Sequence, residues 1–258
     1  MRWYILPKKM KDKKMMTQIR FTLIKSKDPL NKLFKANGEK VSRGNMFKGN
    51  FAKCKVDSVE KLLAGFKKFS ENTAITLGVP ELDKGEITTA TKVAGDKIAR
   101  TKKYFKFPVT AFLLLDYDPS KNGYEIKDPK HFAEVLRDID PALNYCDIGV
   151  VYGSSYGIYK DGVLISSKKS MHTYIIVDNA TNEKVTQYKD YLVSEAWAKG
   201  YGHIELSKTG SVMRRQVFDS AVFSPERLIF EAAPTLEEGI TRIVPEYEIF
   251  YGEQRWEI

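Results

Sequence analysis

The pattern of apolar and polar residues predicts a chain that mixes short strands with a few helices. Short apolar runs bounded by polar or turn-forming residues are typical of β-strands. Such runs occur at 19–24, 112–115, 147–151, 173–177, 203–206, 217–223 and 228–230. The mixture favours an α+β fold in which helices cover sheets.

Three segments are predicted to be α-helices. They lie at about 58–71, from Pro129 to about Ile139, and at 183–199. Asp57-Ser58-Val59-Glu60 resembles a capping box before the first, and Asp128 can cap the second. Gly200 stands where a glycine commonly ends a helix, just beyond the third.

The middle of the chain indicates a change of module. Glycines, threonines and charges at 78–96 predict an irregular connection, and the basic segment 97–106 is compatible with a helix. We therefore expect two modules, at about 17–95 and 96–258. The lysine-rich residues 1–16 are expected to form a basic N-terminal arm.

Composition points to a folded protein with a polyanionic partner. The net charge is +9, from 42 Lys and Arg against 33 Asp and Glu, which favours nucleic acid, nucleotides or anionic membrane. Cys54 and Cys146 form no CxxC pair, so neither a zinc ribbon nor a disulfide framework is expected. No segment approaches the roughly 20 apolar residues of a membrane span, and no signal peptide is evident. We expect a cytoplasmic protein with no membrane association.

Two aspartates end the apolar run at 112–115. Because side chains alternate along a strand, Asp116 and Asp118 point to the same face. Adjacent carboxylates repel each other, and Mg²⁺ at nucleotide phosphates typically uses one or two carboxylates. The pair indicates either a Mg²⁺ or Mn²⁺ site for phosphoryl or nucleotidyl transfer, or two solvated aspartates at a strand end.

Ser170 and His172 immediately precede the strand at 173–177 and share one face of it. A hydroxyl and an imidazole there can donate hydrogen bonds to phosphate oxygens, and Lys169 adds positive charge. The alternative is an ordinary histidine with a structural hydrogen bond.

Asp219 is flanked by apolar residues in the sequence VFDSAVF, which indicates partial burial. A buried carboxylate needs a metal, an arginine or backbone donors. Arg214 and Arg215 lie just upstream and can pair with it. They can instead bind a triphosphate, because arginine matches phosphate geometry.

The order of these motifs resembles that of the archaeo-eukaryotic primase superfamily. Its members carry two aspartates one residue apart behind apolar residues, then a Ser-x-His motif, then one aspartate behind an apolar residue. The matching segments here are LLDYD at 114–118, SMH at 170–172 and FD at 218–219.

The segment 195–240 is similar to one branch of that superfamily, the primase-polymerases of phages, plasmids and integrative elements. That branch tends to carry a W-x-x-G-x-G-x-I run, a glycine-led R-x-x-x-D and a PERL-F-E tail. The corresponding residues are Trp197, Gly200, Gly202, Ile204, Gly210, Arg215, Asp219, Pro225 to Leu228, Phe230 and Glu231. Segments 98–108 and 29–39 also resemble that branch, so the resemblance extends from about 17 to 245. No zinc-binding insertion and no helicase-like segment accompanies them.

The resemblance implies a primase catalytic core, with an N-terminal α/β module, an RRM-like module and an active site in the cleft between them. The catalytic metal ligands it implies are Asp116, Asp118 and Asp219, with Mg²⁺ or Mn²⁺ as cofactor. The predicted nucleotide-binding residues are Ser170, His172, Lys169 and Arg215.

The function implied by this resemblance is template-directed primase and DNA polymerase activity in the replication of a phage or mobile element. Nucleotides would be transferred to a 3′-hydroxyl with release of pyrophosphate. The expected partners are single-stranded DNA template and primer, NTP or dNTP, and a helicase, fused or separate. The alternatives are a non-catalytic module that binds single-stranded DNA or a replication origin, and a metal-dependent nuclease. Clustered acids argue against the first, and the Ser-x-His motif with its basic neighbours argues against the second.

Overall fold

The computed structural model describes residues 18–120, 122–207 and 209–252, together with the backbone of 256–257. The basic arm predicted at 1–16 lies outside these residues. The described part of the chain is a mixed α+β structure with three α-helices and several sheets, as the residue pattern predicts. No helix in the described ranges is long and apolar enough to cross a membrane.

The strands and helices follow one another in an irregular order along the chain. The first nine strands are β1 (Ile19–Ser26), β2 (Lys32–Phe34), β3 (Lys40–Ser42), β4 (Lys48–Val56), β5 (Thr73–Thr76), β6 (Lys84–Thr88), β7 (Ile98–Ala99), β8 (Ala111–Tyr117) and β9 (Ile148–Tyr152). The other nine are β10 (Tyr156–Lys160), β11 (Val163–Ser167), β12 (Met171–Asp178), β13 (Gly202–Leu206), β14 (Val212–Gln216), β15 (Thr235–Leu236), β16 (Ile240–Arg242), β17 (Glu248–Phe250) and β18 (Trp256–Glu257). The α-helices are α1 (Val59–Phe66), α2 (Pro129–Ile139) and α3 (Asn182–Ala198).

The predicted helix starts are confirmed by their caps. Ser58 Oγ accepts the backbone N–H of Lys61 at 3.2 Å, and Asp128 Oδ1 accepts that of His131 at 2.8 Å. Gly200 has φ +80°, the left-handed conformation that favours glycine after a helix. The first helix is shorter than predicted, because α1 ends at Phe66 in a tight turn rather than continuing to residue 71.

Several local predictions outside the helices are wrong. The connection predicted at 78–96 contains the strand β6, which pairs with β4. The sequence of β6, KGEIT, has a glycine and charged residues that are untypical of a strand. The basic segment 97–106 forms β7 and turns instead of a helix. The strand predicted at 217–223 is a bend followed by a 3₁₀ turn at Ser220–Val222. The segment 228–230 makes only a single bridge, between Ile229 and Ile75.

Two larger sheets organise the molecule. The first has the order β5-β1-β4-β6-β7 and uses strands between Ile19 and Ala99. The second has the order β17-β9-β12-β18, and β8 pairs with the other side of β12. The division into modules near residue 95 stays a prediction, because buried residues of both sheets share one apolar cluster.

The second sheet is covered on both faces. On one face Phe112 lies against Phe21 of β1, and Tyr174 lies against Phe66 of α1, with ring centroids 6.4 Å and 5.5 Å apart. On the other face Tyr117 lies 5.5 Å from Phe132 of α2. Strands covered on both faces have apolar residues at consecutive positions, which explains the uninterrupted run in β8.

The chain beyond Asp219 returns to the N-terminal part of the protein. Ile229 bridges Ile75 of β5, and β15 pairs with β2 in a small sheet of order β15-β2-β3. Asn31 donates to the carbonyl oxygen of Ala233 at 2.8 Å. These contacts hold the β2–β3 hairpin close to one end of the second sheet.

Gly149 of β9 packs closely against α1, and this contact generates a stability prediction. A Cβ there would lie 2.3 Å from Val59 Cγ1 and 2.8 Å from Leu63 Cδ1. We expect Gly149→Ala to lower the free energy of unfolding by about 1–3 kcal/mol, because the added methyl group overpacks this contact. Urea unfolding followed by circular dichroism measures the change.

Gly65→Ala is the matched control, because a Cβ at Gly65 of α1 would meet no atom within 4 Å. This substitution should leave stability unchanged or raise it by up to about 1 kcal/mol, since alanine favours the helix. Equal stability of the two variants would contradict direct packing of α1 on β9.

Candidate functional site

The pairing of β8 with β12 places three predicted site residues side by side. Asp116 on β8 is directly opposite His172 on β12. On its other side Asp116 forms a β-bridge with Asp219, whose backbone N–H donates to the Asp116 carbonyl oxygen at 2.7 Å. Adjacent strands lie about 4.8 Å apart, so the three side chains form a row across the end of the sheet.

Asp118 and Ser170 extend this row by one step. Each lies two residues from a member of the row, Asp118 after Asp116 and Ser170 before His172, and alternation gives them the same face. Ser170 is buried and Asp118 is exposed. Both line the same cleft as Asp116 and His172.

The cleft has a volume of about 270 Å³. One side is the end of the second sheet with its acidic residues. The opposite side comes from the β2–β3 hairpin and its flanks, at 30–32 and 42–44, and from the returning segment at 227–232. The N-terminal and C-terminal parts of the chain therefore both contribute to it.

Asp116 is partly buried and has three other carboxylates near it. Burial raises the pKa of this carboxyl, and only 25% of its side chain is exposed. The positive charge of His172 opposes that rise. The nearby carboxylates of Asp118, Asp219 and Glu231 raise the pKa further. A cation placed among these groups would relieve both burial and repulsion.

Glu231 fixes the His172 ring through Nδ1, the nitrogen that is turned away from Asp116. Its carboxylate is 4% exposed, and Oε1 accepts hydrogen bonds from His172 Nδ1 at 2.5 Å and from the hydroxyl of Tyr174. Burial alone would lower the pKa of His172, but Glu231 and Asp116 outweigh burial and raise the pKa to about 9. The ring is therefore positively charged near neutral pH. Its Nε2 faces the cleft, 3.5 Å from Asp116 Oδ1.

Lys168 supplies an exposed counter-charge for Asp118. Its Nζ lies 2.8 Å from Asp118 Oδ1, and the two side chains are 41% and 60% exposed. Exposed pairs of this kind contribute about 0–1 kcal/mol, so the pair is easily exchanged for another cation. Asp118 is thus available as a ligand at low cost.

A second lysine approaches from the hairpin side of the cleft. Lys32 Nζ donates to Ser155 Oγ at 3.0 Å. Burial is the main reason that the pKa of Lys32 is lowered, and Lys40 lowers it as well, whereas Asp118 and Asp116 act to raise it. Lys32 is therefore within electrostatic range of Asp116 and Asp118, which together with Asp219 we call the acidic row.

Two predicted nucleotide-binding residues are not brought to the cleft. Lys169 Nζ donates to the carbonyl oxygen of Lys127 at 3.0 Å. Arg215 lies on β14, where its Nε is 3.4 Å from Glu205 Oε2. Neither side chain lines the cleft. Their phosphate contacts stay predictions, and the arrangement gives no support to either.

Glu231 and Lys32 are the site residues that sequence reasoning missed. Glu231 was visible as the last residue of the PERL-F-E tail, but its position beside His172 depends on the return of the chain after Asp219. Lys32 carried no distinguishing signal among 42 basic residues. The β2–β3 hairpin that presents it became evident only with the fold.

The carboxylates of the acidic row are suitable ligands for a hard divalent cation, but their side chains are not arranged around a common metal position. Carboxylate oxygens are the ligands that Mg²⁺ and Mn²⁺ prefer. Among the residues that the structure describes, no group of three or more acidic, histidine or cysteine side chains is already arranged to hold a metal. Asp118 is turned to Lys168, and Asp219 Oδ1 accepts the N–H of Ala221 at 2.9 Å. A metal ion shared with Asp116 would require both side chains to turn away from these partners.

Comparison with known proteins identifies no relative. No family model, curated protein or solved structure matches this chain.

The shared carboxylate of Glu231 generates a testable prediction. In Glu231→Ala, the hydroxyl of Tyr174 and Nδ1 of His172 both lose their acceptor in a buried setting. We expect the free energy of unfolding to fall by about 1–3 kcal/mol, the usual penalty for an unsatisfied buried polar group. Urea unfolding of purified protein measures it.

Glu238→Ala serves as the control, because Glu238 is exposed on the turn after β15. It should change stability by less than about 0.5 kcal/mol. A Glu231→Ala protein as stable as this control would show that the carboxylate does not support the histidine and tyrosine.

Proposed function

We propose that this protein is a template-directed primase and DNA polymerase that transfers nucleotides to a 3′-hydroxyl. The observation that carries the proposal is the row formed by Asp116, His172 and Asp219 across adjacent strands. These residues belong to three motifs that are far apart in the sequence, and closeness at one end of the sheet is what a common chemical role requires. Asp116 and His172 line the cleft, and Asp219 is bridged to Asp116 beside it. The order of the motifs and the 195–240 segment add the resemblance to phage and mobile-element primase-polymerases.

The arrangement of charge in the cleft supports a nucleotide substrate. Acidic side chains lie at the end of the second sheet, whereas Lys32, Arg43 and Arg227 line the opposite side. A nucleoside triphosphate bound to a metal ion would match both sides of the cleft. The metal ion would bind the carboxylates, and the phosphates would bind the cationic side chains. A cleft walled by the β2–β3 hairpin and the second sheet also fits the expected primase core.

Asp116, Asp118 and Asp219 would hold Mg²⁺ or Mn²⁺. Such a cation would promote deprotonation of the attacking 3′-hydroxyl and neutralise charge on the departing pyrophosphate. The protein itself contributes a site that is partly shielded from water, where charge interactions are stronger than in solution.

His172 and Ser170 would position the triphosphate. The imidazolium donates through Nε2, the nitrogen that faces the cleft, while Glu231 fixes the ring through Nδ1. The Ser170 hydroxyl can donate from the same face. During transfer the 3′-oxygen forms a bond to the α-phosphorus, the bond to the bridging oxygen breaks, and pyrophosphate leaves with that electron pair. The hydroxyl proton passes to solvent.

The function requires partners beyond the chain itself. A single-stranded DNA template, a primer or initiating nucleotide, and NTP or dNTP are the substrates. A helicase, fused or separate, stays an expectation of the resemblance. Basic residues in the 97–106 segment that are exposed, such as Lys102 and Lys103, suit contact with the template backbone.

The proposal predicts that Asp116→Asn abolishes synthesis. Purified protein is incubated with a single-stranded template, with and without an annealed primer, labelled nucleotides, and Mg²⁺ or Mn²⁺. Products are resolved on denaturing gels. We expect template-dependent products from the wild type and a loss of at least about 100-fold in the variant, because the proposed metal site loses the charge of one carboxylate ligand. DNA binding, measured by fluorescence anisotropy, should be retained.

Asp190→Asn is the matched control, because Asp190 is an exposed residue of α3 that pairs with Lys189 far from the cleft. It should leave synthesis unchanged. Absence of products from the wild type with every nucleotide and metal would contradict the enzyme proposal. Shortening of the DNA, dependent on Asp116 and without any extension, would favour the nuclease.

A further inference from the structure

The side of the cleft that faces the acidic row has its own chemical character. Three cationic side chains from separate segments line it, namely Lys32, Arg43 and Arg227, and we call them the cationic wall. Arg227 belongs to the PERL-F-E tail, but the sequence motifs predict a phosphate contact for none of the three. Each has hydrogen-bonding capacity that the described protein groups leave unused.

Lys32 is anchored but not neutralised. Its Nζ donates to the hydroxyl of Ser155, which is itself only 1% exposed. An ammonium group has three donors, so two remain. No carboxylate of the described residues lies within ion-pair distance of Lys32, although Asp116 and Asp118 act on it electrostatically.

Arg43 is partly satisfied and partly not. Its Nη1 lies 3.6 Å from Glu71 Oε2, whereas Nε and Nη2 are buried without a hydrogen-bond partner in the described structure. Buried guanidinium N–H groups without acceptors are costly, and a phosphate can accept two of them at once. A turn of the guanidinium would present these two donors to a ligand in the cleft.

Arg227 completes the wall from the returning segment. It is exposed, and its guanidinium forms no ion pair with any carboxylate of the described residues. Its position is fixed by the backbone, because its N–H donates to the carbonyl oxygen of Ser224 at 3.1 Å and the neighbouring Leu228 is buried. An arginine held this way is free to bind an anion.

We propose that the cationic wall binds the triphosphate of the incoming nucleotide, an inference that rests on the proposed function. Lys32, Arg43 and Arg227 would contact the phosphates from the hairpin side, opposite His172 and Ser170. A triphosphate gripped from both sides is fixed in orientation before it reaches the acidic row. Placement of the reacting groups is a large part of catalysis in phosphoryl transfer.

Binding of inorganic triphosphate tests the wall without chemistry or template. Isothermal titration calorimetry is performed in the presence of EDTA, so that no metal contributes. We expect Lys32→Gln and Arg227→Gln each to weaken the affinity by about tenfold, and the double variant by more, because each loses a charge-assisted contact. Arg43→Gln should weaken it as well. The charge-preserving variants Lys32→Arg and Arg227→Lys should retain most of the affinity.

The double variant Arg20→Gln/Lys25→Gln is the matched control. Both residues are exposed on β1, line no part of the cleft, and their replacement removes the same charge. It should bind triphosphate like the wild type. Thermal unfolding of every variant separates loss of binding from loss of folding.

The outcomes separate this inference from the proposed function. Equal affinity of the cleft and control double variants, or no binding by the wild type at millimolar triphosphate, would overturn the cationic wall even if DNA synthesis is observed. Triphosphate binding that depends on Lys32 and Arg227 supports it. That result would stand even if the wild type synthesised no DNA, in which case only the proposed polymerase activity would fail.

Discussion

The antiparallel register between β8 and β12 is the constraint on which the rest of the structure depends. Phe112 packs against the first sheet, and Asp116, four residues later on the same face, lies in the cleft. The partner strand repeats this order in reverse, with His172 at the cleft and Tyr174 against α1. A slip of one residue would move Asp116 from the cleft to the face that packs against α2. Core packing and site geometry are therefore specified together.

The cleft neutralises its charges only in part. Carboxylates gather at the end of the second sheet, and cations project from the β2–β3 hairpin and the segment at 227–232. Burial and mutual repulsion raise the pKa of Asp116, which is the electrostatic sign that its negative charge is under-compensated. Lys32 has no carboxylate partner within ion-pair distance in the described residues. A ligand that combines a metal ion with phosphates would satisfy both sides, and groups with perturbed pKa values often mark functional sites.

Local signals were sufficient for much of the fold and for part of the site. The caps at Ser58 and Asp128 and the apolar run before Asp116 act within a few residues, so the pattern predicted the starts of α1 and α2 and the strand β8. The strand β6 was missed because its pairing with β4, rather than its own composition, makes it a strand. Glu231 and the cationic wall depend on the return of the chain from Asp219 to the N-terminal hairpin. Contacts between segments so far apart in the chain produce no pattern of apolar and polar residues from which they could be predicted.

The central claim is that Asp116, Asp118 and Asp219 hold a divalent cation beside a bound triphosphate. Anomalous scattering from Mn²⁺, in crystals grown with a non-hydrolysable nucleoside triphosphate, tests it most directly. The account predicts an anomalous peak from a Mn²⁺ ion that is coordinated by carboxylate oxygens of Asp116 and Asp219. Asp118 should no longer pair with Lys168, and the phosphates should lie between the ion and Lys32. Crystals that contain the nucleotide but show no Mn²⁺ at these carboxylates, with the Asp118–Lys168 pair intact, would contradict it.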